Sequence, residues 1–95
     1  MSESPPISER VRKAIHEKFS AEDAERVEAV LLSYGTEEHH REVDRVRMGI
    51  VAVSKDVANV ERLVALAKCD YRDAIVETEY EVRDRKLVRV RSFIP

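Results

Sequence analysis

The stretch Asp70-Tyr71-Arg72-Asp73-Ala74-Ile75-Val76-Glu77-Thr78-Glu79-Tyr80-Glu81-Val82-Arg83-Asp84-Arg85-Lys86-Leu87-Val88-Arg89-Val90-Arg91-Ser92-Phe93-Ile94 decides the fold, because it satisfies two periodicities at once. At period 2, Val76, Thr78, Tyr80 and Val82 face one way. Val88, Val90, Ser92 and Ile94 can then pair with them across a three-residue turn, Asp84-Arg85-Lys86. That register sets Glu81 opposite Arg89 and Glu79 opposite Arg91, two favourable cross-strand charge pairs. At period 3.6, Tyr71, Ile75, Thr78 and Val82 line one helical stripe, with Asp70 as N-cap and Asp73 at the third position. The first reading gives an α+β chain with a C-terminal β-hairpin over 75–94. The second gives a mainly α chain with a helix near 70–80 and an extended segment near 87–94. Pattern alone tilts slightly to the hairpin.

The same stretch carries a charge switch. Residues 1–82 hold twelve Lys/Arg against eighteen Asp/Glu, a formal −6, and residues 83–95 hold five against one, a formal +4. The five cations are Arg83, Arg85, Lys86, Arg89 and Arg91, and with Phe93 they are the candidate interaction residues. A basic tail on an acidic body is expected to dock on something acidic, in its own chain or in a copy of it.

Working outward, the rest of the chain reads as helices. Ser8 is an N-cap, and Ile7, Val11, Ile15 and Phe19 recur at every fourth residue with Ala14 beside them. Ser20 opens a second helix, with Glu22 and Asp23 in its first turn, Ala24, Val27, Leu31 and Tyr34 inward, and Gly35 as the stop. Thr36 is read as the cap of a third, with Glu37 and Glu38 in its first turn and Val43, Val46, Ile50 and Val53 inward. Arg41, Arg45 and Arg47 are placed on its other faces. Gly49 inside it costs about 1 kcal/mol against Ala, which points to a close helix–helix approach. Asp56 caps a fourth, with Val57, Val60, Leu63, Val64 and Ala67 inward. Residues 1–7, with Pro5-Pro6, read as a frayed leader, 8–81 as a helical domain and 82–95 as a basic extended tail.

Two helical hairpins of similar sequence are visible. Arg10-Val11-Arg12 with Ile15 matches Arg45-Val46-Arg47 with Ile50, and Val27-Glu28 with Val30-Leu31 matches Val60-Glu61 with Leu63-Val64. The offsets of 35 and 33 residues fit a helical hairpin used twice with a shorter second turn; the alternative is a chance alignment of amphipathic helices of similar composition. Ninety-five residues support one core. With 43% hydrophobic and 38% charged residues, that core is ordered and its helices strongly amphipathic. Two glycines leave little material for a many-stranded sheet. The single cysteine, Cys69, cannot form an internal disulfide, and with no secretory or membrane-spanning pattern it points to a reducing cytoplasm.

Arg45-Val46-Arg47…Ile50, Asp56, Leu63…Ala67, then Asp70-Tyr71-Arg72-Asp73-Ala74-Ile75 and Glu79-Tyr80, resemble a family of short uncharacterised bacterial proteins with a C-terminal R-V-x-x-x-I…D-Y-R-D…E-Y pattern. The resemblance is strongest over residues 45–80 and is absent beyond Glu81. It implies an all-helical fold whose last helix starts at the D-Y-R-D run and stops near Tyr80. It implies no activity, ligand or catalytic residue.

Chemistry-bearing clusters are few. Glu37, Glu38, His39, His40, Glu42 and Asp44 are the densest set of potential metal ligands. Adjacent histidines on a helix diverge by about 100°, however, and first-turn acids already have a helix-dipole reason to be there. Cys69 lies between Lys68 and Arg72 nearby, without a local base. Asp70-Tyr71-Arg72-Asp73 is accounted for by a cap, a core anchor and an ion pair. No metal, cofactor or catalytic residue is therefore assigned. The expectation is a compact bundle of four to five helices, formed from two hairpins, a helix near 70–80 and an extended C-terminal segment. Its expected function is non-catalytic protein–protein contact in the cytoplasm, including self-association as a homodimer. The alternatives are a nucleic-acid-associated regulator using the basic tail and a small enzyme subunit.

Overall fold

Five helix starts read as side-chain caps in the sequence, and the computed structural model, which describes residues 4–95, uses four of them, all but Thr36. Ser8 Oγ accepts from the Val11 amide at 3.4 Å, Ser20 Oγ from Asp23 at 3.3 Å, Asp56 from Asn59 at 2.8 Å and Asp70 from Arg72 at 3.0 Å. Each bond satisfies an amide that the first turn of a helix leaves unpaired. The capped helices are α1 (Glu9–Lys18), α2 (Ala21–Leu32), α4 (Val57–Cys69) and α5 (Tyr71–Glu79), with α3 (Val43–Val53) between the second and third of them. A short hairpin, β1 (Tyr80–Arg83) and β2 (Lys86–Arg89), follows. The chain is mainly α.

Helix α3 sits centrally, packed on α1, α4 and α5, while α2 packs on α4. Val11 and Val46, Ile15 and Ile50, Val27 and Val60, and Leu31 and Val64 are all buried, so the matching positions of the two hairpins share one core. Where the halves differ is in their arginines. Arg12 stays half exposed beside Glu28, at 3.4 Å, whereas its counterpart Arg47 is fully buried. The expectation that Arg47 lies on an outer face is therefore corrected. Its guanidinium donates to four carbonyls: Leu31 (3.1 Å), Tyr34 (2.9 Å), Pro5 (2.8 Å) and Pro6 (3.2 Å). The described part of the expected leader is consequently packed, with Ile7 in the core. Residues 1–3 lie outside the described residues.

The third helix starts at Val43, not at Thr36. Side chains take over the backbone groups that a helix would use there. His40 Nδ1 accepts from the Gly35 amide (3.0 Å) and the Glu37 amide (3.4 Å), and Tyr34 Oη donates to the Arg41 carbonyl at 2.6 Å. The His40 ring stacks on Tyr34 with centroids 4.7 Å apart. Gly35 at φ +114° and Glu42 at φ 48° bend the chain through left-handed geometry, which a continuing helix does not allow.

Burial, and next to it the charge of His39, lower the His40 pKa from its ordinary 6.5. The unfolded chain then binds more protons just below pH 6.5, so stability is complete above that value and falls as pH drops beneath it. Melting temperatures compared between about pH 5 and pH 8 should show this loss, with His40→Gln flattening the slope below 6.5. Equal slopes in both proteins would refute the role of neutral His40 as an amide acceptor.

Gly49 is explained by proximity. A Cβ there would lie 2.6 Å from Thr78 Oγ1 and 2.9 Å from Thr78 Cβ, with Phe93 at 3.2 Å. Overpacking of this kind costs about 1–3 kcal/mol and outweighs the gain of about 1 kcal/mol in helix propensity. Chemical denaturation of Gly49→Ala should show a net loss, relieved in part when Thr78→Ala removes Oγ1, since the Cβ at 2.9 Å remains.

Candidate interaction surface

Both readings of the C-terminal stretch hold in part: a helix to Glu79, then a hairpin. The pairing is Tyr80 with Arg89, Glu81 with Val88, Val82 with Leu87 and Arg83 with Lys86. The turn has two residues, Asp84 at φ 50° and Arg85 at φ 64°, in place of the expected three. Two left-handed residues match the twist of the strands they join, as in a type I′ turn. The shorter turn slips the register by one, so Glu81 faces Val88 and not Arg89. The extended segment at 86–94 accordingly finds its strand partner within its own chain.

What anchors this hairpin is Glu79, whose carboxylate sits in the fork of Arg45 at 2.6 and 2.7 Å. Arg45 also holds Glu42 at 2.7 Å. The Glu79 carboxylate is fully buried, and the Glu79 backbone carbonyl accepts from Val90 (2.8 Å) and Arg91 (3.2 Å). The Arg45 hydrogen bonds hold the Glu79 carboxyl below its ordinary 4.5 against the opposing effect of burial, and Glu79 in turn raises Arg45.

The six sequence-predicted residues separate into two groups. Arg91 and Phe93 turn inward. Arg91 donates to the Thr78 carbonyl (2.9 Å) and to Glu81 (3.2 Å), while the Phe93 ring lies near Gly49 and its carbonyl accepts from Arg10. Arg10 is itself held by Asp44 at 2.7 Å. The others lie along the hairpin. Arg89 stacks over the Tyr80 ring at 5.2 Å and is 3.8 Å from Glu79, and Arg83 is 3.2 Å from Glu81. Arg85 and Lys86, at the tip, have no acidic partner within 4 Å among the described residues.

Sequence reasoning missed the apolar part of this surface. Side chains alternate along a strand, so Tyr80, Val82, Leu87 and Arg89 share one face and Glu81, Arg83, Lys86 and Val88 the other. Val82 is 72% exposed and its cross-strand neighbour Leu87 59%. The available signal was the alternation itself, with a two-residue turn in place of three.

The remaining clusters make contacts within the chain. His39 Nε2 lies 3.1 Å from the Lys68 carbonyl and its ring meets that of His40 edge-on. Among the described residues no three His, Cys, Asp or Glu side chains are grouped to hold a metal ion. Cys69 is free and exposed, and Asp70 and Arg72 pair with each other at 3.1 Å. No described helix is long and apolar enough to cross a membrane. No family model, curated protein or solved structure matches the chain.

Proposed function

We propose that this is a small non-catalytic protein of the cytoplasm that acts through protein–protein contact, with the C-terminal hairpin as its docking arm. One observation carries the reading: Val82 and Leu87 lie side by side and open to solvent on a two-stranded sheet, beside the unpaired cations Arg85 and Lys86. An isolated two-stranded hairpin is marginal in water, and its open edges are templates for a further strand. Strand addition draws affinity from main-chain hydrogen bonds and specificity from side chains at alternate positions. The basic rim then favours a partner with acidic residues beside an extended segment.

A photoreactive residue placed at 87 should form protein adducts in living cells, while one at the exposed position 65 on α4 should not. Equal labelling from both positions, or none from 87, would refute the docking arm. Adducts to nucleic acid from 87 would put the phosphate-binding alternative in its place.

A further inference from the structure

We infer that the free edge of β1 pairs with the β1 edge of a second copy of this chain, about a two-fold axis through Val82. This rests on the docking-arm reading and names its occupant. The geometry begins from one hydrogen bond. Val90 N–H reaches the Glu79 carbonyl at 2.8 Å, which marks residues 79 and 90 as a bonded row of the antiparallel ladder. Bonded and non-bonded rows alternate, so 81/88 and 83/86 are bonded and 80/89 and 82/87 are not. The Val82 N–H and C=O therefore point away from β2, to an edge that bonds no other backbone segment among the described residues.

The sequence at that edge is self-complementary. In an antiparallel pair centred on Val82, each Val82 exchanges both backbone hydrogen bonds with Val82 of the second copy. Glu81 then stands opposite Arg83 of the second copy, and Arg83 opposite its Glu81, giving two opposite-charge pairs on one face. On the other face the two Val82 side chains adjoin, flanked by Tyr80 and Leu87 from each copy. The product is a four-stranded antiparallel sheet with a continuous apolar row of Leu87 and Val82 from each copy across its middle, the arrangement that a lone hairpin lacks. The β2 edge offers no equivalent. A two-fold axis through Leu87 sets Arg85 opposite Arg89 of the second copy, and cation faces cation.

The two charges give a test that does not depend on either variant alone. Glu81→Arg places Arg opposite Arg at the axis, and Arg83→Glu places Glu opposite Glu, so each variant should remain a monomer. Mixed together, they set two Arg against two Glu and should form a heterodimer. Sedimentation of the full chain up to about 1 mM should show the wild type at twice the monomer mass, since so short an edge gives weak association. Over the same range the Val82 amide should exchange more slowly as the mass rises. Circular dichroism establishes that each variant keeps its helices.

A wild type that stays monomeric to that concentration would overturn the pairing. So would a dimer that both variants leave intact, a mixture that fails to associate, or a Val82 amide indifferent to concentration. If crosslinks from position 87 to another protein persist in a monomeric wild type, the self-pairing fails and the docking arm stands. If they vanish as well, both fail.

Discussion

Replacing Arg45 with Met should cost about 3–5 kcal/mol, the range found when one member of a buried ion pair is removed. The cost comes from what is left behind. Glu79 is fully buried, and without the Arg45 fork its nearest cation is Arg89, at 3.8 Å and 45% exposed. The carboxylate must then either stay charged without a close donor or take up a proton. Glu79→Gln is the milder change, because Arg45 keeps Glu42 at 2.7 Å. The pair also fixes a pH window. Because Arg45 holds the Glu79 carboxyl below 4.5, the unfolded chain binds more protons as pH falls beneath that value. The stabilisation is therefore complete above 4.5 and lost on acidification. Urea titrations of wild type and Arg45→Met should differ most near neutral pH and converge in acid. A loss below 1 kcal/mol at neutral pH, or a constant difference at all pH, would show that the pair does not secure α5 to α3. Since Glu79 also accepts from Val90 and Arg91, amide protection across the hairpin should fall along with global stability.

The helices were legible because caps and stripes are local. Ser8, Ser20, Asp56 and Asp70 each act within three residues of themselves, and Val11, Ile15, Val46, Ile50, Val60 and Leu63 repeat at helical spacing. The start of α3 was not legible, since Thr36-Glu37-Glu38 is a sound N-terminal signature. What defeats it is the His40 ring taking the Gly35 and Glu37 amides, a tertiary arrangement stacked on Tyr34. At the C-terminus the two periodicities overlapped because a helix and a strand abut at Glu79-Tyr80, and residues 76–82 contribute to both. The turn was misjudged because Arg85 is not a residue that announces left-handed geometry, unlike a glycine at the same position. The candidate surface was half legible. Composition gave the cations, but which of them turn inward depends on Thr78, Glu81 and Gly49, residues that no charge count connects to the tail.

Arg47 is where the sequence was least informative and where the second large effect is expected. It repeats Arg12, which is half exposed, so nothing local marks it as buried. Its surroundings do: the carbonyls of Leu31 and Tyr34 lie at the end of α2, where the helix leaves acceptors unpaired and the dipole favours a cation. Pro5 and Pro6 add two more carbonyls from the segment ahead of α1. Burial lowers the Arg47 pKa, with Asp44 and Tyr34 opposing that shift, yet a guanidinium stays charged throughout the ordinary pH range. Arg47→Met keeps much of the volume and removes every guanidinium donor: the Leu31 carbonyl keeps the Tyr34 amide at 3.1 Å, while those of Tyr34, Pro5 and Pro6 lose the donor they have. Hydrogen bonds to a charged group contribute about 1.5–3 kcal/mol each, part of which the desolvation of the guanidinium offsets. A net loss of about 3–5 kcal/mol follows, or roughly 15–30 °C in melting temperature for a domain of this size. Arg47→Lys separates charge from geometry. An ammonium is a point donor and cannot span Leu31, Tyr34 and Pro5 as the planar fork does, so most of the loss should remain. Full retention of stability in Arg47→Lys would mean that the cation alone, and not its fork, holds the N-terminus to α2. If Arg47→Met is also harmless, the amides of residues 7–9 should still be protected from exchange, and the clamp has no energetic role.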